Sequence, residues 1–304
     1  MGSGRLTKRS SSGRTSLLGA SGSFLIPSAS GHALVALLFG CACAVLVPAA
    51  TAAAWRSVLA SCGAALSFRE AWGCYGLGCL ANTVLPGKMG EAVRVESFAR
   101  RNRHRQRRWL AGGVSATIAL GQSAVFAVVL TVGAIGGALP LWAAAVSLAL
   151  PLIGVAGSAV AVRRRKEGRL TSLATAARLG PAAWARALSW IAASGVARLL
   201  TAAAVLQTLS VPHPLAGAFV AVGARAVGGA LPFAPGGAGV GAGAIALGLS
   251  RSGLDTGTAV AAAMTFHTLE TGASLVFGTT GWLLLRLKRP TIERPVALAP
   301  AAAS

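Results

Sequence analysis

The sequence predicts an all-α, polytopic integral membrane protein of about seven or eight transmembrane helices. Three observations predict it. Hydrophobic residues make up 54% of the 304-residue chain and charged residues only 12%, whereas a soluble domain carries about a quarter charged. Mean hydropathy is +0.67. Apolar runs of ~20 residues, the length that spans a bilayer core, alternate with short basic segments of the kind that hold loops on the cytoplasmic side. No soluble catalytic domain fits in what remains. The net charge of +21 raises nucleic acid as a partner. The basic residues sit in short loops beside apolar runs, however, and the run at 100–108 has no interleaved aromatics. Topology and attraction to anionic lipid, worth ~1 kcal/mol per basic residue near the surface, account for them, and no nucleic acid is expected.

In chain order, residues 1–30 are basic and rich in Ser and Gly and read as a disordered cytoplasmic tail. Residues 31–287 form the helical transmembrane domain, and 288–304 a second cytoplasmic tail. The apolar run after residue 30 is too long for a signal-peptide core. Span one covers 33–54. The segment 57–68 is too short to cross and is expected to lie at the interface. Span two starts near Ala71 and runs into Pro86-Gly87. The charge-free stretch 109–162 holds two spans turning near 136–140. Span five is 187–209, the VPHP turn follows, span six is 215–231, and span eight is 256–285. The piece at 238–250 is too short to cross, since thirteen helical residues reach only ~20 Å, and it reads as a half-helix, re-entrant or paired with a neighbouring break. The five cysteines, Cys41, Cys43, Cys62, Cys74 and Cys79, read as small apolar helix residues; no metal site or other cofactor is expected.

Of the 28 Lys and Arg residues, eight lie in 88–108 and seven in 163–186. With the tails, these loops predict both termini cytoplasmic and an even number of crossings. The high Ala and Gly content suggests a GC-rich bacterial genome, hence a bacterial cytoplasmic membrane.

Two Pro/Gly breaks interrupt the apolar pattern: NTVLPGKMGEAVR at 82–94 and LPFAPGGAG at 231–239. Breaks at membrane depth free backbone groups that protein or water must satisfy, and so line cavities. Their matched positions suggest a two-fold internal repeat, parallel if each half has four elements; chance placement of Pro and Gly is the other reading. Asn82 can bond freed backbone or a ligand. Pro86 breaks the helix, and Gly87 and Gly90 allow tight backbone paths. Lys88, Glu91 and Arg94 stand three apart, a charge ladder at the cytoplasmic interface or a pair of cations for a lipid phosphate. In the second break, Gly237/Gly241 and Gly239/Gly243 form small-xxx-small pairs suited to close helix packing. A backbone cradle for an anion is the alternative.

Three ionisable residues lie inside apolar spans: Arg198, Arg225 and Glu270. A charge at the bilayer centre costs ~2.5–3.5 kcal/mol, so such residues face a cavity or each other. Arg225 and Glu270 are read equally as an anion site and as a structural pair; Arg198 is read as structural. His267 shares a helix face with Glu270.

The paired motifs N-x-x-L-P-G-[KR]-x-G-E-x-x-R at 82–94 and L-P-x-x-P-G-G-x-G at 231–239 resemble the lysylphosphatidylglycerol synthase transmembrane region family, also called flippase-like proteins, over about 30–290. Carried over by motif are Asn82, Pro86, Gly87, Lys88, Gly90, Glu91 and Arg94, then Pro232, Pro235, Gly236, Gly237 and Gly239. Ala242 stands where members often have Glu, and Leu120–Gln122 where they often have a Glu-Arg pair. The resemblance implies a polytopic domain associated with moving a modified lipid across the membrane. The aminoacyl-transferase domain of the full synthases has no counterpart here. The expected function is therefore transport or binding of an anionic or modified lipid headgroup, with anionic phospholipid or polyprenyl-phosphate lipids as partners and no enzymatic step. The alternative is a non-transporting scaffold or regulator of a lipid- or glycan-modifying enzyme in the membrane.

Overall fold

The computed structural model describes residues 31–85, 89–101, 107–139, 179–230 and 238–287, with the single positions 145 and 149. Among these residues it is all-helical, with eight helices. They are α1 (Gly31–Ser61), α2 (Phe68–Val84), α3 (Met89–Arg101), α4 (Arg107–Ile135), α5 (Pro181–Thr208), α6 (Pro214–Ala230), α7 (Ala238–Arg251) and α8 (Thr256–Leu287). By length and composition, α1, α5 and residues Arg108–Ile135 of α4 can cross a membrane. The longest helix, α8, has 32 residues and carries His267 and Glu270 near its middle.

Local chemistry sets several helix ends. Ser67 caps α2: its side chain accepts from the Glu70 amide, and the Glu70 carboxylate accepts from the Ser67 amide, a reciprocal box that satisfies two otherwise open donors. Pro181 opens α5 behind Gly180, where its missing N–H is not needed. Gly137, at φ +74°, follows the end of α4, a conformation that suits glycine. The helix that begins at residue 31 runs on past Arg56 to Ser61, so 57–68 is not a separate interfacial segment. Arg56 donates from Nε to the Leu66 carbonyl, which fastens the α1–α2 turn.

Packing directions follow from which residues meet. On α1 and α5, Thr51 meets Ser194 at 3.1 Å while Thr201 donates to Gly40 O at 3.5 Å, so the two run antiparallel. On α2 and α8, Gly76 abuts Phe277 and Gly278 while Gly73 abuts Gly281 and Leu285, again antiparallel. Trp55 of α1 stacks on Phe98 of α3 at 4.5 Å, Arg101 at the end of α3 reaches Glu70 at the start of α2 (3.8 Å), and Arg108 of α4 reaches Glu96 of α3 (3.0 Å). The ends of α1, α3 and α8 and the starts of α2, α4 and α5 therefore share one end of the bundle, the basic end.

Two consequences correct the sequence reading. The chain after Pro86-Gly87 does not leave the bundle as a cytoplasmic loop. Instead α3 folds back along α2 to the basic end, making a hairpin. The second break does the same from the opposite end: Gly228 of α6 faces Val240, Gly241 and Ala244 of α7, and Gly248 of α7 faces Val220 and Ala224 of α6. The short piece at 238–250 is thus the returning arm of a re-entrant hairpin, as its length suggested. Since the hairpins enter from opposite ends, the repeat they suggest is inverted, not parallel. The second correction concerns the ends of the domain: α1 starts and α8 finishes at opposite ends, which does not fit an even number of crossings. The α1–α2 turn, with Glu70 at the start of α2, stands at the same basic end as Arg101 and Arg108.

Four helices, α1, α4, α5 and α8, run the length of the bundle, and the two broken segments supply the other four. At 17 residues each, α2 and α6 penetrate about 25 Å, against about 48 Å for α8, so both hairpin tips come to mid-depth. The core divides accordingly. One apolar cluster, around Trp55, Leu59, Phe98, Leu110 and Phe277, fills the basic end. A second, around Leu206, Val222, Ile245, Leu249 and Phe266, fills the other. Large apolar residues on α1, α4 and α8, such as Leu38, Val128 and Val276, point outward, as lipid-facing positions do.

Candidate functional site

Along α5, Arg198 falls between Ile191 of the first apolar cluster and Ala202 of the second; along α8, Glu270 falls between Phe266 and Phe277. At this seam Glu270 is flanked by two arginines from two other helices. Its Oε1 lies 3.0 Å from Arg198 Nε, and its Oε2 lies 2.6 Å from Arg225 Nε. Neither Nε is aligned for a hydrogen bond, so both contacts are ion pairs. The Arg198 guanidinium also lies over Phe126 of α4, 5.7 Å from the ring centre. The side chains are 21%, 32% and 13% exposed for Arg198, Arg225 and Glu270, so the cluster is sheltered yet open on the Arg225 side. One carboxylate against two guanidiniums leaves one net positive charge in an apolar seam. Guanidinium suits oxyanions, whose paired oxygens match its planar fork. The charges Arg225 and Glu270 that the sequence singled out do meet. Arg198, read as structural, joins them; its signal was the same as theirs, a charge inside an apolar run.

A separate polar cluster occupies the α2–α3 hairpin. Gly78 of α2 and Gly90 of α3 cross so closely that a Cβ at Gly90 would overlap the Asn82 side chain, and one at Gly78 would sit 2.8 Å from Arg94 Nε. Arg94 is buried, 6% exposed, with its guanidinium 4.1 Å from the centre of the Tyr75 ring and Nη1 paired to Glu91 at 2.5 Å. Of the ladder expected at the cytoplasmic interface, Arg94 is therefore inside the bundle, because α3 turns inward, with the more exposed Glu91 paired to it. Tyr75 and Gly78 escaped the sequence reading. The spacing of Gly90, Arg94 and Phe98, four apart and all buried, is the signal that marks the inward face of α3.

Of the remaining expected site residues, Pro86, Gly87, Lys88, Pro232, Pro235, Gly236 and Gly237 lie outside the described residues. Gly239 and Gly243 have no described atom within 4 Å of an added Cβ, and Gly241 has only Arg225 Nη1, at 4.0 Å. Of the glycines expected to pack closely, Gly241 does so, its Cα lying against Gly228 of α6, whereas Gly239 and Gly243 meet no described neighbour; Gly248 makes a second close approach further along α7. His267 contacts Thr271, one turn on, at 3.4 Å, and Glu270 pairs with Arg198 and Arg225 rather than with His267. The five cysteines are free thiols. At the basic end, hydrogen bonds from Arg100 and Arg108 hold the Glu96 carboxyl below its ordinary range.

No curated protein matches the chain. A family model for the lysylphosphatidylglycerol synthase transmembrane region matches residues 14–278, which includes both hairpins, the Arg198–Glu270–Arg225 cluster and the helices that hold them. By that match the chain belongs to the lysylphosphatidylglycerol synthase transmembrane region family.

Proposed function

We propose that this protein binds an anionic or modified lipid headgroup at the Arg198–Glu270–Arg225 cluster and carries it through the bundle, in the manner of a flippase. The observation that supports this reading is a charged cluster at the seam between two apolar cores, net positive and reached by a hairpin that stops at mid-depth. Intramembrane charge is expensive, and a purely structural pair needs one arginine, not two. Glu270 serves as the internal counter-ion when no headgroup is bound. An incoming phosphate takes over Arg225, the most exposed of the three, while Arg198 stays with Glu270. On this reading the chain carries out no catalytic step, and it works in a bacterial cytoplasmic membrane with anionic phospholipid or polyprenyl-phosphate lipids.

The test is a reconstituted translocation assay with fluorescent phospholipids and a polyprenyl phosphate. Wild-type vesicles are expected to exceed empty liposomes for at least one anionic class, and Arg225→Met to lose most of that excess. Wild-type vesicles that match empty liposomes for every lipid class would sink the reading and leave the scaffold alternative.

A further inference from the structure

Among the described residues, every buried side-chain nitrogen or oxygen without a hydrogen-bond partner belongs to one of the two polar clusters. They are Arg198 Nε and Arg225 Nε at the seam, and Asn82 Oδ1 and Arg94 Nε in the α2–α3 hairpin. Buried polar groups are normally satisfied, and an unsatisfied one asks for an explanation. The seam atoms are at least in contact with Glu270. The hairpin atoms are not explained by anything in the proposed central site.

We propose that the α2–α3 hairpin holds a second oxyanion station, separate from the central cluster, that takes a lipid phosphate on Arg94 with Asn82 beside it. The station shares the ligand chemistry of the central site but rests on different residues. Arg94 is oriented from two sides: the Tyr75 ring covers one face and Glu91 holds Nη1. The guanidinium side chain is 8% exposed whereas that of Glu91 is 47% exposed. The carboxylate therefore stands at the mouth with the cation behind it. A phosphate entering there displaces Glu91 outward and takes its place on Arg94, which has donors to spare because Nε is unused. The orphaned end of the Asn82 amide meets a hydroxyl of the headgroup, which can either donate or accept and so fits both amide orientations.

The test counts retained lipids by native mass spectrometry on the purified full chain, with phosphatidylglycerol, phosphatidylcholine or inorganic phosphate supplied separately. Wild type is expected to retain two phosphatidylglycerol molecules in preference to phosphatidylcholine, and no inorganic phosphate. Arg94→Met should lose one of the two, Arg225→Met the other. Glu91→Gln should strengthen retention at the first station several-fold, since the competing carboxylate is gone; this variant keeps Arg94 and carries the test if Arg94→Met fails to fold. Retention of both lipids by Arg94→Met overturns the proposal. So does weaker retention in Glu91→Gln, which would make the Glu91–Arg94 pair structural. Equal retention of both phospholipids in all variants would mark annular lipid only, and binding of inorganic phosphate would make this a site for a free anion. If Arg225→Met loses nothing while Arg94→Met loses one lipid, the central site fails and the hairpin station stands.

Discussion

The two hairpins have one topology and opposite chemistry. The α2–α3 hairpin keeps its charge to itself: Arg94 is paired within α3 to Glu91 and stacked on Tyr75 of α2. The described part of the α6–α7 hairpin is built almost wholly from Gly, Ala and aliphatic residues, and its one interior charge, Arg225, reaches outside the hairpin to Glu270 of α8. Inside the bundle the first hairpin is thus electrostatically self-contained, its ion pair to a length-spanning helix being the exposed Glu96–Arg108 contact at the basic end, whereas the second is held to α8 by a sheltered salt bridge. The difference teaches where motion is cheap. Moving α2–α3 as a unit breaks only the solvent-exposed Glu96–Arg108 pair, while moving α6–α7 away from α8 exposes a carboxylate and a guanidinium in an apolar seam, so this hairpin moves only with a substitute anion in place.

The strongest way to break that comparison is to remove the shared anion. Glu270→Ala leaves Arg198 and Arg225 side by side without a counter-charge. Breaking a buried pair by deleting one partner costs roughly 3–5 kcal/mol, and the partial opening on the Arg225 side puts this case near the low end. A clear drop in the thermal unfolding midpoint in detergent is expected. Replacing all three residues together, Arg198→Met, Arg225→Met and Glu270→Leu, should recover most of it, because no charge then lacks a partner. A triple variant as unstable as Glu270→Ala would show that the cluster holds the helices by more than charge balance.

How far the sequence already revealed this can be judged residue by residue. The apolar runs located α1, α4 and α5, and Pro86-Gly87 and 231–237 located the two breaks. Arg225 and Glu270 stood out because a charge in an apolar run has few affordable explanations. What did not show was direction. The basic residues after Lys88 read as a loop because charge density is the usual mark of one. Tertiary packing overrides that mark here: α3 places Gly90, Arg94 and Phe98 inward and its other charges, Glu96 and Arg100, outward toward the basic end. A one-dimensional charge count cannot distinguish a loop from an amphipathic arm folded back on its partner. The same blindness produced the parallel repeat, and the glycine pairs read from the sequence took in Gly241 but not Gly228 and Gly248, which also bring α6 and α7 together.

Glycine substitutions sharpen the contrast at a smaller scale. Gly90→Ala drives a methyl into Asn82 and the Gly78 carbonyl, and overpacking of this kind costs typically 1–3 kcal/mol. Gly243→Ala, at the matching returning arm, meets no described atom within 4 Å and should be neutral or stabilising by up to ~1 kcal/mol through helix propensity. Thermal melts of the two variants side by side measure the difference. Equal destabilisation would mean that both arms are packed alike.

The smallest expected effect concerns how the first hairpin is fastened at the basic end. Glu96 accepts from Arg100 within α3 at 2.9 Å and from Arg108 of α4 at 3.0 and 3.2 Å. These bonds favour the carboxylate and lower its pKa from the ordinary 4.5. A group with a depressed folded value stabilises the fold fully above its unfolded pKa and loses that contribution as pH falls through the folded one. The α3–α4 tie should therefore be constant at neutral pH and weaken only below about pH 4.5. Glu96→Gln should flatten that acid limb of the unfolding profile while barely moving the midpoint at pH 7, since both arginines are largely exposed and surface pairs contribute little. Added salt should mimic the substitution by screening the pairs. An acid limb unchanged in Glu96→Gln would shift the fastening of the hairpin from this carboxylate to the Trp55–Phe98 stack, which neither pH nor salt touches.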